Sequence, residues 1–517
     1  LPDEQKSGRT LRCGSVCSCL ESWLTSDKPK LNKLLIDCLD MASESLAIFS
    51  KSGDTLQYGI TYDALSFYPL TAFFRRVFYE RDRQVMKEVV EKGLQWGERA
   101  REVFSKIGDK HRLASVYLNW ITCFMIYEWF FIAEPEDIDR HNSELMRHLS
   151  KLLELSQEIG DTSIVGMSHF WMGDNTSGED SIKHLNQALE ACKKTRDKFM
   201  QATALDFMAN RIYWKVIVEE IPDERRKLAE KAMKFYDKGQ HLYSIVPWET
   251  PRGGLICPPG GHAEHYYYLA QWEPDLAKKK ELLDKANKTG IEALKKAEES
   301  YTPNVVSFTL HLLSRILEAQ SGMKPDVSEK RSLLERAMEY EKRAIKASEW
   351  KPYVYWNVGT MYNFLADIKA ELGYLERDPD NRRKLLEEAA SHKEQALRLI
   401  GKQEAPFFQL KGVRVPFVGL YGYQDNYGTL LNHLYELTGN TEHLRKSVEI
   451  SRKALDSATK LGLVSLVAEA HWKIARAQDD LQEYTAAADS FQCASEHYLK
   501  AATKIPQLKD MYQDHAS

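Results

Sequence analysis

One short motif returns along this chain at a nearly constant interval, and it restricts the fold more than any other feature. It reads KLAEKA from Lys227 to Ala232, ELLDKA from Glu281 to Ala286, SLLERA from Ser332 to Ala337 and KLLEEA from Lys384 to Ala389. A degraded copy ends at Ser447. The closing positions lie 54, 51, 52 and 58 residues apart. Seven residues after each comes a second small position: Gly239, Ala293, Ala344, Ala396 and Ala454. Small residues a heptad apart share one helical face, where a neighbouring helix can approach closely. A period of roughly fifty residues built from such helices predicts a stacked helical array.

A second element recurs at helix boundaries. Lys51-Ser-Gly-Asp54, Lys106-Ile-Gly-Asp109 and Glu158-Ile-Gly-Asp161 each close one apolar-periodic segment and open the next, with Lys194-Thr-Arg-Asp197 as a weaker copy. Glycine suits the left-handed position after a helix, and aspartate caps the helix that follows. Val89 to Gly93, with Ala100 seven residues on, extends the small-residue pattern into the N-terminal half.

The expected architecture is all-α: a right-handed α-solenoid of about nine to ten stacked antiparallel helix pairs. The pairs are predicted at 56–80 with 84–106, 110–132 with 137–159, 162–172 with 180–195, and 198–219 with 223–243. They continue at 263–272 with 275–299, 303–321 with 326–348, and 352–374 with 380–400. The last two are 423–438 with 441–461 and 463–482 with 484–503; a helix at 31–50 completes an earlier pair or caps the array. The chain divides into a poorly defined leader (1–30), an N-terminal array (31–243), a Gly/Pro-rich loop (244–262), a central array (263–400), an aromatic Gly/Pro loop (401–422) and C-terminal repeats with a tail (423–517). No strand alternation stands out. The small-residue packing favours an open stack over a closed toroid.

A chain of 517 residues exceeds one ordinary core, but a solenoid needs only neighbouring units to bury each apolar face. With 71 basic against 75 acidic residues it lacks the basic excess of a nucleic-acid footprint. The most apolar stretch, Trp120 to Ala133, is interrupted by Glu128 and is shorter than the ~20 residues a bilayer requires. It reads as a helix buried between repeats or, alternatively, as an exposed self-association face. The chain starts at Leu1, so the compartment stays open: soluble and cytoplasmic, unless a cleaved signal peptide once preceded Leu1. Cys13, Cys17 and Cys19 cluster in the leader, where a metal or disulfide is the alternative to a loosely packed segment.

No phosphate loop, zinc-protease motif or nucleophile elbow is present. Cys257, His262, Glu264 and His265 supply zinc-type ligands at close spacing, and incidental clustering is the simpler reading. No cofactor, metal or catalytic residue is assigned. Aromatic residues are more suggestive. Tyr267, Trp272, Tyr355, Trp356, Tyr362, Tyr423 and Tyr427 fall toward the starts of successive first helices. They form either a recognition surface or inter-repeat packing.

These features together resemble the tetratricopeptide repeat (TPR) superfamily over roughly residues 31–503. The nearest variety is the degenerate array of large regulatory ATPases and signalling proteins, with its A-x3-F-x2-I-G-D pattern. Ala100, Phe104, Ile107, Gly108 and Asp109 match that pattern. The resemblance implies first helices on a concave face that binds proteins, peptides or small effectors, copies of the chain included. Two departures stand out: the period is near 52 instead of 34, and the usual W-x2-L-G-x2-Y opening is approached only at Trp356, Gly359 and Tyr362. The expected function is a non-enzymatic binding scaffold that takes no nucleic acid and spans no membrane. The alternatives are a subunit that self-assembles head to tail and, least favoured, a helical-toroid enzyme.

Overall fold

The structure, a computed structural model, describes residues 3–24, 28–76, 83–131, 135–176, 178–244, 261–299, 303–348, 355–401, 409–410, 413–414 and 418–516. Ten helix pairs follow one another among them. They are α1 (Asp3–Leu24) with α2 (Lys28–Ser52), α3 (Thr55–Arg76) with α4 (Arg83–Ile107), and α5 (Lys110–Phe131) with α6 (Pro135–Glu158). Next come α7 (Thr162–Asn175) with α8 (Gly178–Lys194), α9 (Lys198–Val218) with α10 (Pro222–Ser244), and α11 (Gly261–Trp272) with α12 (Leu276–Glu299). The remaining pairs are α13 (Pro303–Gly322) with α14 (Val327–Ser348), α15 (Tyr355–Leu375) with α16 (Pro379–Gly401), α17 (Val418–Thr438) with α18 (Thr441–Leu461), and α19 (Val464–Asp480) with α20 (Tyr484–Lys504). A short helix, α21 (Lys509–Ala516), packs back on α20.

The recurring turn works as its residue types require. Gly53, Gly108 and Gly160 take φ of +69°, +78° and +71°. At Gly108 the chain closes α4 with bonds from Gly108 N and Asp109 N to Phe104 O, at 3.0 and 3.1 Å. The next helix is then capped: Asp109 accepts from Arg112 N at 3.1 Å, and Asp161 from Ser163 N and Ile164 N at 2.9 and 3.0 Å. Orphan carbonyls of one helix and orphan amides of the next are thus satisfied within a few residues. At the weaker copy Arg196 itself adopts φ +58°, and Asp197 still caps Met200 N at 3.0 Å.

Every small position of the repeated motif is buried. Ala232, Ala286, Ala337, Ala344, Ala389, Ala396 and Ala454 are fully enclosed, and Ser447 donates to Gly428 O of the partner helix at 3.0 Å. Close pairing of this kind leaves longer side chains to fill the space between units. One such layer sets Ala366, Ala370, Leu386 and Ala389 of one unit against Tyr427, Leu430, Leu431 and Leu434 of the next.

Curvature follows from which helices meet. First helices touch the first helices of the next unit (α11 with α13, α13 with α15, α15 with α17, α17 with α19), whereas among the described residues successive second helices make no comparable contact. First helices therefore line the concave side.

Several expectations need correction. The leader is not loose: α1 packs on α2, with Ser45 Oγ donating to Gly8 O at 2.9 Å and Cys19 sharing a buried cluster with Cys38, Leu31 and Leu35. Its contact face uses glycines, Gly8 against Phe49 and Gly14 against Met41, so no apolar stripe marks it. Loop 401–422 holds a small antiparallel pair, β1 (Gln409–Leu410) with β2 (Val413–Arg414), and α17 begins at Val418 instead of 423. Two paired residues a side are too few for an alternation pattern to register. Loop residues 245–260 lie outside the described residues. Of the two readings of the apolar stretch after Trp120, the buried one holds: Ile121, Cys123, Phe124, Met125 and Ile126 are buried, and Leu145, Leu149 and Leu152 of α6 pack with them. No helix among the described residues is long and apolar enough to cross a membrane.

The stack also returns to itself. Glu220, in the turn between α9 and α10, bonds to Ser465 at the start of α19 and pairs with Lys504 at the end of α20. Nearest-neighbour packing alone does not foretell this contact across 284 residues of chain.

Candidate functional site: the concave polar band

The tyrosines singled out from the sequence do sit on first helices, but where their side chains are described they are used in packing. Tyr267 and Tyr427 are buried. The Tyr427 hydroxyl donates to Glu394 Oε1 at 2.8 Å, and Lys446 lies 5.7 Å from its ring centre. Tyr423 donates to Thr360 Oγ1 at 3.3 Å across the unit boundary. Tyr362 is half-buried against the His392 ring. The side chains of Trp272, Tyr355 and Trp356 lie outside the described residues, as do those of Cys257, His262 and His265.

What the concave side carries instead is a continuous band of charge. On α13 the Arg315 guanidinium stacks 4.7 Å from the Tyr267 ring centre and 5.5 Å from that of Tyr268, and it donates to the Tyr268 hydroxyl at 3.4 Å. Burial raises the Glu264 carboxyl, and Arg315 opposes that rise. One turn further, burial and then the carboxylates Glu371 and Asp367 push Glu318 up to about 7. His311 Nδ1 lies 2.8 Å from Glu341 Oε1; Glu341 is fully buried, and its second oxygen meets no donor among the described residues.

The next unit answers with a cation from its second helix. Lys393 of α16 is 1% exposed and reaches inward to Asn363 Oδ1 at 2.7 Å and Asp367 Oδ1 at 2.6 Å. Burial lowers its pKa, opposed by Asp367 and Asp425. A buried ammonium is tolerable only because carboxylate and amide oxygens replace its water. Lys369 pairs with Glu388 at 2.7 Å and Lys330 with Glu371 at 3.0 Å. On the following first helices Lys473 binds Asp425 at 2.6 Å and Thr429 at 3.2 Å.

The sign of this band is uneven. From 261 to 480 the first helices carry nine Asp or Glu against four Lys or Arg. Their partner helices, α12 to α20, carry 25 Lys or Arg against 18 acids. Over this stretch the first helices are net acidic and their partner helices net basic. A net charge near zero conceals this partition. The visible signal is charged residues set inside an apolar first helix, as Arg315 and Glu318 in LLSRILEA or Asp367, Lys369 and Glu371 in FLADIKAEL.

No family model matches the chain, and no curated protein matches it. Solved structures do. A signal-transduction ATPase with numerous domains and a tetratricopeptide repeat sensor, from Pyrococcus horikoshii, aligns at TM-score 0.45 and 12% identity over 85% of this chain. This chain spans 56% of that protein's length. A human IFIT1 dimer with PPP-AAAA gives TM-score 0.40 and 13% identity, covering 93% of this chain and 98% of that one. A kinesin light chain with TPR-like repeats from Podosopora anserina gives 0.30 and 14%, covering 47% and 97%. At these values the likenesses concern the stacking of helix pairs and nothing finer. With its paired helices, small packing residues and glycine–aspartate turns, the chain is a TPR-like α-solenoid.

Proposed function

We propose that this protein is a non-enzymatic binding scaffold that receives a protein or peptide partner on its concave face. The observation that carries the reading is the polar band on the inward first helices, with acids outnumbering bases. Such a face attracts lysine- or arginine-rich segments and repels phosphate backbones, which bring one negative charge per nucleotide. Three of the four first-helix cations are engaged, Arg315 with tyrosines, Lys369 with Glu388 and Lys473 with Asp425, while Arg476 is exposed beside the Trp472 ring.

Fluorescence anisotropy with a labelled Lys/Arg-rich peptide, a Glu-rich peptide and a single-stranded oligoribonucleotide tests this. The basic peptide is expected to bind, more weakly as salt rises, and the double substitution Asp367→Asn/Glu371→Gln to weaken it about tenfold. Tighter binding of the RNA, or affinity untouched by the double substitution, would sink the reading.

Head-to-tail self-assembly is a second reading, favoured by apolar side chains at both ends of the stack. Val16 and Leu20 are exposed on α1, and Tyr484, Phe491 and Leu499 on α20. Sedimentation velocity over a hundredfold concentration range decides it: a constant monomer rules it out, and growth abolished by Leu20→Glu supports it.

A further inference from the structure

Helix α19 begins without a cap of its own. Its N-cap residue is Leu463, whose side chain offers no acceptor. An uncapped helix start leaves several N–H groups unsatisfied and a partial positive charge exposed. The acceptor arrives from 245 residues away: Glu220 Oε1 takes Ser465 N at 3.3 Å and Ser465 Oγ at 2.9 Å. Its other oxygen pairs with Lys504 Nζ in the last turn of α20. The Glu220 side chain is 8% exposed, so this is an enclosed contact. Tyr512 of α21 completes it, with its phenol among Ser465, Glu220 and Arg225.

The turn that presents Glu220 is itself fastened. Glu219 Oε1 accepts from Ile221 N at 2.9 Å, and Arg225 Nε donates to Glu219 O at 2.7 Å. The carboxylate is therefore held at a fixed place and angle. Between the two partners lie the units α11 to α18, which carry the acid-rich part of the concave band.

We infer that Glu220 is a latch. It ties the α9–α10 turn to α19 and α20, and so holds this stretch of the solenoid closed around its concave face. With the latch made, an extended partner enters along the bore; with it released, the two ends part and the face opens sideways. The effect on partner binding rests on the reading of the concave face given above. The latch itself does not.

The test uses the full chain with Cys13, Cys17, Cys257 and Cys493 replaced by serine and nitroxide labels at Asp223→Cys and Lys500→Cys. Pulsed electron resonance is expected to give one narrow distance in the parent chain. Glu220→Ala and Lys504→Ala should each lengthen and broaden it, with helix content by circular dichroism unchanged. Glu220→Gln keeps an acceptor for Ser465 and loses the charge, so its distribution should fall between. A distance unmoved by both alanine substitutions overturns the latch, whatever binds. If the distance moves, dissociation of the basic peptide should rise about fivefold in Glu220→Ala. A moved distance with no peptide binding in any variant keeps the latch and removes the reading of the concave face.

Discussion

Arg196 occupies the position that glycine holds at three sister turns, in the same left-handed conformation. A side chain there costs about 1 kcal/mol relative to glycine, because Cβ crowds the backbone. Arg196→Gly should therefore raise stability by about 1 kcal/mol, less some loss to the added freedom of the unfolded chain, as read by urea denaturation. Glu318 allows a test with pH. Its carboxyl titrates at 4.5 when unperturbed and at about 7 in the fold, so between those values the native state binds more protons than the unfolded chain. Its contribution then falls as pH rises through that window, by about 3 kcal/mol in all. Glu318→Gln removes the penalty. Its stability advantage over the parent should be small at pH 5 and largest above pH 7.

Elements succeed here through close approach, and magnitudes decide which substitutions they tolerate. A Cβ on Gly173 of α7 would sit 2.7 Å from Leu185 Cγ and 3.1 Å from Leu185 N of α8. Alanine gains about 1 kcal/mol in helix propensity, but overpacking costs about 1–3, so Gly173→Ala should lower the melting temperature. Gly322, at the end of α13 with nothing within 4 Å, should respond oppositely. The same physics explains what the sequence disclosed. The alanines after Lys227 and Glu281 and the glycine–aspartate turns announced paired helices, because both are local devices with fixed spacing. Helix α1 stayed hidden because glycines form its contact face. The tyrosines fell on the expected first helices, and of the two roles open to them Tyr267 and Tyr427 take the packing one, filling unit boundaries. The charged band escaped notice because Lys393 and Asp367 meet only after folding, 26 residues apart in sequence.

At the scale of the molecule, the first helices from α11 to α19 are acid-rich and their partner helices base-rich, while the net charge of the whole chain stays at −4. This predicts a salt response of two kinds. Binding to the concave face should weaken steadily between 50 and 500 mM salt, whereas the melting temperature should change little, because Lys393 and Arg315 are shielded from mobile ions. The contact at Glu220 has a further consequence. A solenoid ordinarily tolerates gain or loss of a unit, since each unit answers only to its neighbours. A chain that must come back to its own ninth helix does not share that freedom. Removing or duplicating one unit between α11 and α18 would swing Ser465 and Lys504 out of Glu220's reach while leaving every neighbouring interface intact. The carboxylate thus keeps count: its contact is met only by a chain with this number of units.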